Sequence, residues 1–332
     1  MVCIDTVLLS VFMDTNTEAK DYPIQCLFCT KSILGGEDDV FGYGMHQACF
    51  LKSFGLTEPK EFTSLARQKS ISSPQTPVDE RWRTSFFGGN YKKYSAILGD
   101  ESYILKVRQQ DHPQLPNVEY VCNVMARQLQ LPVPNFYLID FMGMRTFVSK
   151  NFIGVRSQSV DLKHIYHYLP EGHEPYNCET VLQVILETTK RLSDGETFIR
   201  LCLYDGLIGN DDRHGRNLAF LVTPKGTTLA PIYDNNSSLG LEEGAMLQAD
   251  WNPTGKIATS ETLEPSAAHY LREFRRMGHG KVVKEFVEKV SIEICERTIS
   301  ESFCSAPMKQ ALSRLVNKRY QEMKRELQKE SK

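Results

Sequence analysis

Two short polar stretches carry the residue types that move phosphoryl groups. The first is Asn210-Asp211-Asp212-Arg213-His214-Gly215-Arg216-Asn217, which reduces at its polar positions to N-x-D-x-H-x-x-N. The second, Ala230-Pro231-Ile232-Tyr233-Asp234, ends on another acid. Phosphoryl transfer from ATP needs one carboxylate to orient the attacking hydroxyl. It also needs an amide and a second carboxylate to hold Mg²⁺ on the phosphates. Asp212, Asn217 and Asp234 are the residues at those spacings. Asp and Asn are also ordinary turn formers, so either stretch alone says little. The inference rests on the two together and on the elements that position them.

Between the two stretches, Leu218-Ala219-Phe220-Leu221-Val222, the turn Thr223-Pro224-Lys225-Gly226 and Leu229 to Ile232 read as strand, turn, strand. A hairpin returns the chain to its start, so Asn217 and Asp234 are expected to meet around one cation, since Mg²⁺ is held by one or two carboxylates plus phosphate oxygens and water. Upstream, Ser85-Phe86-Phe87-Gly88-Gly89-Asn90-Tyr91-Lys92-Lys93 is a glycine turn with basic residues before a strand. Such a turn lets backbone N–H groups approach phosphates. Lys106 interrupts an apolar strand, Ile104-Leu105-Lys106-Val107. If it faces inward it needs an anionic partner, either ATP phosphates or Glu119 at the start of the next helix. If it faces outward it is a solvated edge lysine. The connection between lobes is expected near Phe147-Val148-Ser149-Lys150-Asn151-Phe152, whose backbone would meet adenine.

The wider pattern supports an α+β chain in two lobes. The 332 residues are 41% hydrophobic, enough for a sizeable core. A net charge of −2 gives no global signal for nucleic acid or an anionic membrane. No apolar run approaches the roughly 20 residues of a membrane span, and the apolar start at Val7 to Met13 lacks the marks of a secretory signal. Nine cysteines, with Cys122, Cys178, Cys202 and Cys295 in helix-like segments, point to thiols in a reducing cytoplasm. Residues 1–60 form an N-terminal Cys/His segment, 61–83 a Ser/Pro-rich linker, 84–152 a strand-rich lobe and 153–332 a mainly helical lobe. In the strand-rich lobe, Tyr94 to Leu98 and Ser102 to Val107 flank a Gly99-Asp100 turn, and Val118, Val121, Cys122, Met125 and Leu129 recur at helical spacing. Further helical stripes fall at Val181 to Leu192, Phe198 to Ile208, Val283 to Val290 and Met308 to Leu327.

These residues together resemble the HipA family of serine/threonine kinases, whose loop has the form N-x-D-x-H-x-[KR]-N with a following L-A-P-x-Y-D. Here these are Asn210, Asp212, His214, Arg216 and Asn217, then Leu229-Ala230-Pro231-Ile232-Tyr233-Asp234. The resemblance covers roughly residues 84–330 and implies a bilobal protein-kinase-like fold that uses ATP and Mg²⁺. It implies that Asp212 is catalytic, that Asn217 and Asp234 bind Mg²⁺, and that Lys106 binds phosphate. Gly88, Gly89, Asn90 and Lys92 would be the phosphate loop, and His214 would brace the catalytic loop within the nucleotide site. The additional N-terminal subdomain of full-length HipA toxins has no clear equivalent here. The chain looks more like shorter relatives, the HipT-type toxin kinases and the CtkA-like secreted kinases.

The resemblance further implies autophosphorylation of a serine near the glycine turn, with Ser70, Ser72, Ser73 and Ser85 as candidates. It implies either a toxin kinase with an antitoxin partner and a protein substrate such as an aminoacyl-tRNA synthetase, or a secreted effector acting on host proteins. The location would be the bacterial cytoplasm or, after secretion, a host cell. A catalytically silent ATP- or zinc-binding interaction module is the rival from another class, and a small-molecule or lipid kinase shares the same loop logic.

One motif stands apart. Cys26-x-x-Cys29 and His46-x-x-Cys49 place four N/S ligands in two close pairs, the pattern of a closed structural Zn²⁺ site. The alternative is thiols that merely lie beside a helix over Gln47 to Phe54. His164, His167 and His173 have no Cys or acidic ligand at suitable spacing and read as a solvated or packed helix face.

Overall fold

A computed structural model describes residues 25–33, 40–41, 43–67, 93–153, 160–169, 176–249 and 251–329. The described chain begins with a turn at Cys26 to Thr30, then β1 (Val40–Phe41), β2 (Met45–His46) and α1 (Gln47–Phe54). Next come β3 (Thr63–Arg67), β4 (Lys93–Leu98), β5 (Glu101–Val107), α2 (Leu115–Gln128), β6 (Phe136–Phe141) and β7 (Met144–Lys150). These strands, β1 and β2 apart, form one antiparallel sheet in the order β3-β4-β5-β7-β6.

Past β7 come β8 (Asp161–His164), α3 (Cys178–Thr189), α4 (Leu192–Ile208), β9 (Ala219–Thr223) and β10 (Gly226–Leu229). The chain finishes with α5 (Ala267–Arg276), α6 (Gly280–Lys289), α7 (Ile292–Ser300) and α8 (Ala306–Gln328). The architecture is α+β and bilobal: a strand-rich lobe in front, a helical lobe behind.

Period-two alternation gives the sheet two different faces. On β4 and β5, Ala96, Leu98, Tyr103 and Leu105 belong to an apolar cluster on the outer face. The register pairs Lys93 with Lys106, which puts both lysines on the other face. The outer cluster also takes in Leu27, Met45, Phe50, Phe54 and Phe62 from the N-terminal segment. The Phe54 ring lies tilted 4.2 Å from Tyr137, and Tyr43 stacks at 4.9 Å from Phe50. The segment is therefore a cap on the sheet. Residues 61–83, expected as a linker, include β3, which pairs with β4 from Thr63 to Arg67. Its sequence lacks strong alternation; the unpaired edge of β4 recruits it.

The helical lobe has one large core. Phe198, Leu201, Cys202 and Leu203 of α4 are fully buried, with helices α3, α5, α6 and α8 around them. α2 belongs to both lobes: Val118, Val121, Cys122 and Met125 join this core, while Tyr120 packs on the sheet side against Phe136. Cys122, Cys178, Cys202 and Cys295 are free buried thiols on helices, as expected. The helical lobe also carries a small antiparallel sheet, β10-β9-β8. Its hairpin turns at Pro224-Lys225, so the return strand is Gly226–Leu229, earlier than the expected Leu229 to Ile232. His164 ends β8 and His167 lies in a 3-10 turn, so these histidines do not share a helix face; His173 lies outside the described residues.

Candidate active site

α4 leads into the Asn210–Asn217 loop. Its last residue is followed by Gly209 at φ +67, where the backbone N–H bonds back to the Asp205 carbonyl. A Cβ there would lie 2.5 Å from Pro253 Cγ, so only glycine fits. Asn210 then emerges already aimed: its Nδ2 donates to Asp205 Oδ1 at 3.0 Å, and its Oδ1 accepts from the Asp212 backbone at 3.2 Å.

Arg213 holds the loop from beneath and is fully buried. Its Nε and Nη2 form a fork on the Asp205 carboxylate at 2.8 and 3.0 Å. Nη1 donates to the carbonyls of Asn217 at 3.2 Å and Tyr233 at 2.6 Å. Nη2 also donates to Asn235 Oδ1 at 2.8 Å. All five guanidinium N–H groups are thereby used. One side chain ties α4, the Asn210–Asn217 loop and the chain after the hairpin together. Neither Arg213 nor Asp205 stood out as functional in the sequence. The available signal was the charge of Asp205 inside the apolar run Leu203 to Ile208, which demands a partner.

Asp212, Asn217 and Asp234 line one cleft of about 330 Å³, together with Lys93, Lys106, Glu119 and His214. Asn217 donates from Nδ2 to the Asp212 carbonyl at 2.7 Å, which commits the amide nitrogen and leaves its oxygen as the donor for a cation. Asp234 sits at φ +53, a left-handed conformation that Asp tolerates better than most residues. The Asn210 side chain and the Arg213 anchor on the preceding carbonyl hold it there.

Lys106 faces inward and bonds to both Glu119 and Asp234. Lys93 lies 3.5 Å from the other Asp234 oxygen. Two ammonium and two carboxylate groups thus share a nearly buried cluster. Burial works against each charge, and the pairing answers it. Asp234 is held well below the usual carboxylate range by Lys106 and Lys93, despite its burial. Lys106, though buried, is held above the usual ammonium range by Asp234 and Glu119. Burial lifts Glu119 and depresses Lys93, against the pull of their partners. Of the stretch Ser85 to Lys93, Lys93 is described, and the structure brings it to the site. Gly88, Gly89, Asn90 and Lys92 lie outside the described residues, as do Ser70, Ser72, Ser73 and Ser85.

Asp212 differs from these. Its side chain is 69% exposed at the cleft mouth. The cleft walls still raise its pKa through partial loss of water, with the Asp234 and Asp211 charges adding and His214 opposing. His214 braces the loop: Nδ1 accepts from the Arg216 backbone at 3.1 Å, so Nε2 carries the proton toward Asp212 Oδ1, 3.7 Å away. Asp211 points elsewhere, onto the Ser238 hydroxyl. Behind Lys106 an apolar recess is lined by Ile104, Pro134, Phe147, Phe152 and Tyr233, where β7 leaves the sheet.

Far from the cleft, on the outer face of the sheet, Cys26, Cys29, His46 and Cys49 converge. Their ligand atoms lie within 4.8 Å of one another.

A family profile described as the HipA-like C-terminal domain matches residues 85–305. A Haemophilus influenzae protein named "Putative kinase" is 27% identical over 210 residues, 54% of this chain and 60% of its own length. The Sinorhizobium fredii protein named "Putative kinase Y4dM" is 22% identical over 215 residues, 60% of this chain and 50% of its own. The chain thus spans half to three fifths of the length of these relatives. Among solved structures, the Helicobacter pylori proinflammatory kinase CtkA superposes with a TM-score of 0.61 at 17% identity, over 71% of this chain and 93% of that one. HipA of Shewanella oneidensis, solved with HipB and operator DNA, gives 0.54 at 16% identity, over 79% and 72%. The fold is the one these kinases share, and the chain belongs to the family of HipA-like C-terminal domains.

Proposed function

We propose that the chain is an ATP- and Mg²⁺-dependent protein kinase that phosphorylates serine or threonine hydroxyls. The observation that carries this reading is the meeting of Asp212, Asn217, Asp234 and Lys106 in one cleft. Asp212 is the exposed member, placed to orient an acceptor hydroxyl that arrives from solvent. Its raised pKa makes it a better proton acceptor than an ordinary aspartate.

The donor set suits Mg²⁺: one carboxylate on Asp234 and one amide oxygen on Asn217, with room for phosphate oxygens and water. When bound, the cation would neutralise charge on the transferring phosphoryl group. Lys106 and Lys93 supply positive charge on the same side of the cleft, and Glu119 fixes the position of Lys106 from α2. Catalysis by such a site is mainly positioning and charge neutralisation. The adenine would lie in the recess against Phe147, Phe152 and Tyr233, where β7 ends at Lys150. That recess holds about 20 Å³ as it stands, so its walls would have to open for a base to enter.

For the biological role we favour a toxin kinase acting on a cytoplasmic protein, an aminoacyl-tRNA synthetase among the candidates, and restrained by an antitoxin. Its support is the likeness in fold to HipA, which was solved with HipB. A secreted effector kinase is the second reading, and the match to 93% of CtkA favours it on size. The test is phosphopeptide mass spectrometry on lysate treated with the wild-type chain or with Asp212→Asn. New phosphoserine or phosphothreonine with the wild type alone supports the proposal and names the substrate. Matching phosphopeptides from both proteins would overturn it.

A further inference from the structure

The Cys/His cluster lies on the sheet face opposite the cleft, and the kinase reading does not use it. Four observations make it a built site. Cys29 Sγ lies 3.4 Å and Cys49 Sγ 3.8 Å from His46 Nδ1. Tetrahedral zinc with bonds of about 2.0–2.3 Å sets its ligand atoms roughly 3.5–3.8 Å apart, so these two distances already fit, and all four ligand atoms lie within 4.8 Å of one another. His46 Nε2 is 3.3 Å from the Ser32 carbonyl, so that nitrogen carries the proton and Nδ1 turns its lone pair to the sulfurs. The Cys26-to-Cys29 turn is closed by Cys26 N–H on the Lys31 carbonyl and Thr30 N–H on the Cys26 carbonyl, both at 2.9 Å, with Thr30 at φ +61. All four positions are filled by protein, which describes a structural site rather than a catalytic one.

We propose that Cys26, Cys29, His46 and Cys49 bind one structural Zn²⁺, and that this ion fastens the N-terminal cap to the outer face of the strand-rich lobe. The four ligands come from two places, the turn before β1 and the junction of β2 with α1. Joining them fixes α1, whose Phe50 and Phe54 cover Tyr103, Leu105 and Tyr137. On β5 the next residue after Leu105 is Lys106. The cap therefore backs the strand that carries the phosphate lysine. A stretch this short has too little core of its own to hold that position, and metal binding supplies the missing folding energy.

Zinc content and stability can be read without any phosphoryl transfer, so this test stands apart from the kinase proposal. Metal analysis of the full wild-type chain should give one zinc per molecule. A thiol-competing chelator should release it and lower the melting temperature by about 10 °C, with added Zn²⁺ restoring it. Cobalt in its place should give the absorption of a tetrahedral sulfur-ligated site. Cys49→Ser should lose the metal, and His46→Cys, which keeps four ligands, should retain it. A wild-type chain that carries no zinc, takes up neither metal and melts alike with and without chelator would overturn the proposal.

Discussion

Arg213 decides the shape of the Asn210–Asn217 loop without lining the cleft. Its removal would leave the buried Asp205 carboxylate without a counter-ion, holding only the Asn210 amide, and free three backbone and amide acceptors at once. Arg213→Ala should cost about 3–5 kcal/mol in denaturant unfolding; a loss under about 1 kcal/mol would show that the network does not hold the loop. Arg213→Lys should recover only part, because an ammonium cannot make the fork. At this scale the sequence is readable where local spacing sets the geometry. Asp212 and Asn217 lie five residues apart in one loop, and Asp234 returns on a short hairpin. Arg213, Asp205 and Lys93 were not readable. Arg213 looks like one more loop residue until burial is known, and Lys93 gains its role only from its register opposite Lys106.

At the scale of elements, the ends of helices and hairpins place the chemistry. α4 stops at Gly209 because a left-handed residue is needed there and Pro253 leaves no room for a side chain. Gly209→Ala should therefore destabilise the protein by about 2 kcal/mol or more, the conformational cost plus the clash. It should also lower activity beyond what unfolding explains, since Asn210 follows directly; a melting temperature equal to wild type would contradict this. The β4–β5 hairpin and α2 were visible in the sequence because their periods, two and 3.6, are strong and local. β3 was not, because Thr63-Ser64-Leu65-Ala66-Arg67 has little alternation of its own and is held by the edge of β4. β8 was also missed: Asp161 to His164 is short, and it exists only by pairing with β9.

For the whole molecule, two lobes and α2 between them bring opposite charges into one nearly buried cluster. The pH dependence follows from its signs. Asp234 is held below its ordinary 3.8 by the lysines, so its stabilising effect is full above that value and fades only as pH falls through the lower, folded one. Lys106 is held above its ordinary 10.5, so its effect is full below that and fades only as pH rises through the higher, folded one. Asp212 is shifted the other way, above 3.8. Its ionised form is the one that accepts a proton, so activity should fail on acidification while the fold is intact. Parallel profiles of rate and circular dichroism would check this; a loss of both at the same pH would refute it. The two-lobe plan was legible from strands in front and helices behind. The union of the N-terminal cap with the sheet was not, because it depends on aromatic contacts between residues far apart in sequence, such as Phe54 with Tyr103.

The proposed phosphoryl transfer turns on Asp212 at the mouth of this cleft. Asp212→Asn is a clean probe, because removing a carboxylate whose pKa is raised in the fold should leave the protein no less stable. The measurement is transfer of radiolabelled γ-phosphate from ATP and Mg²⁺ to protein, the chain itself included, by wild type and by Asp212→Asn at matched melting temperature. The wild type should label protein, and labelling should fall by about 10²–10⁴-fold in the variant, with ATP still bound. Equal labelling by the two proteins would contradict it.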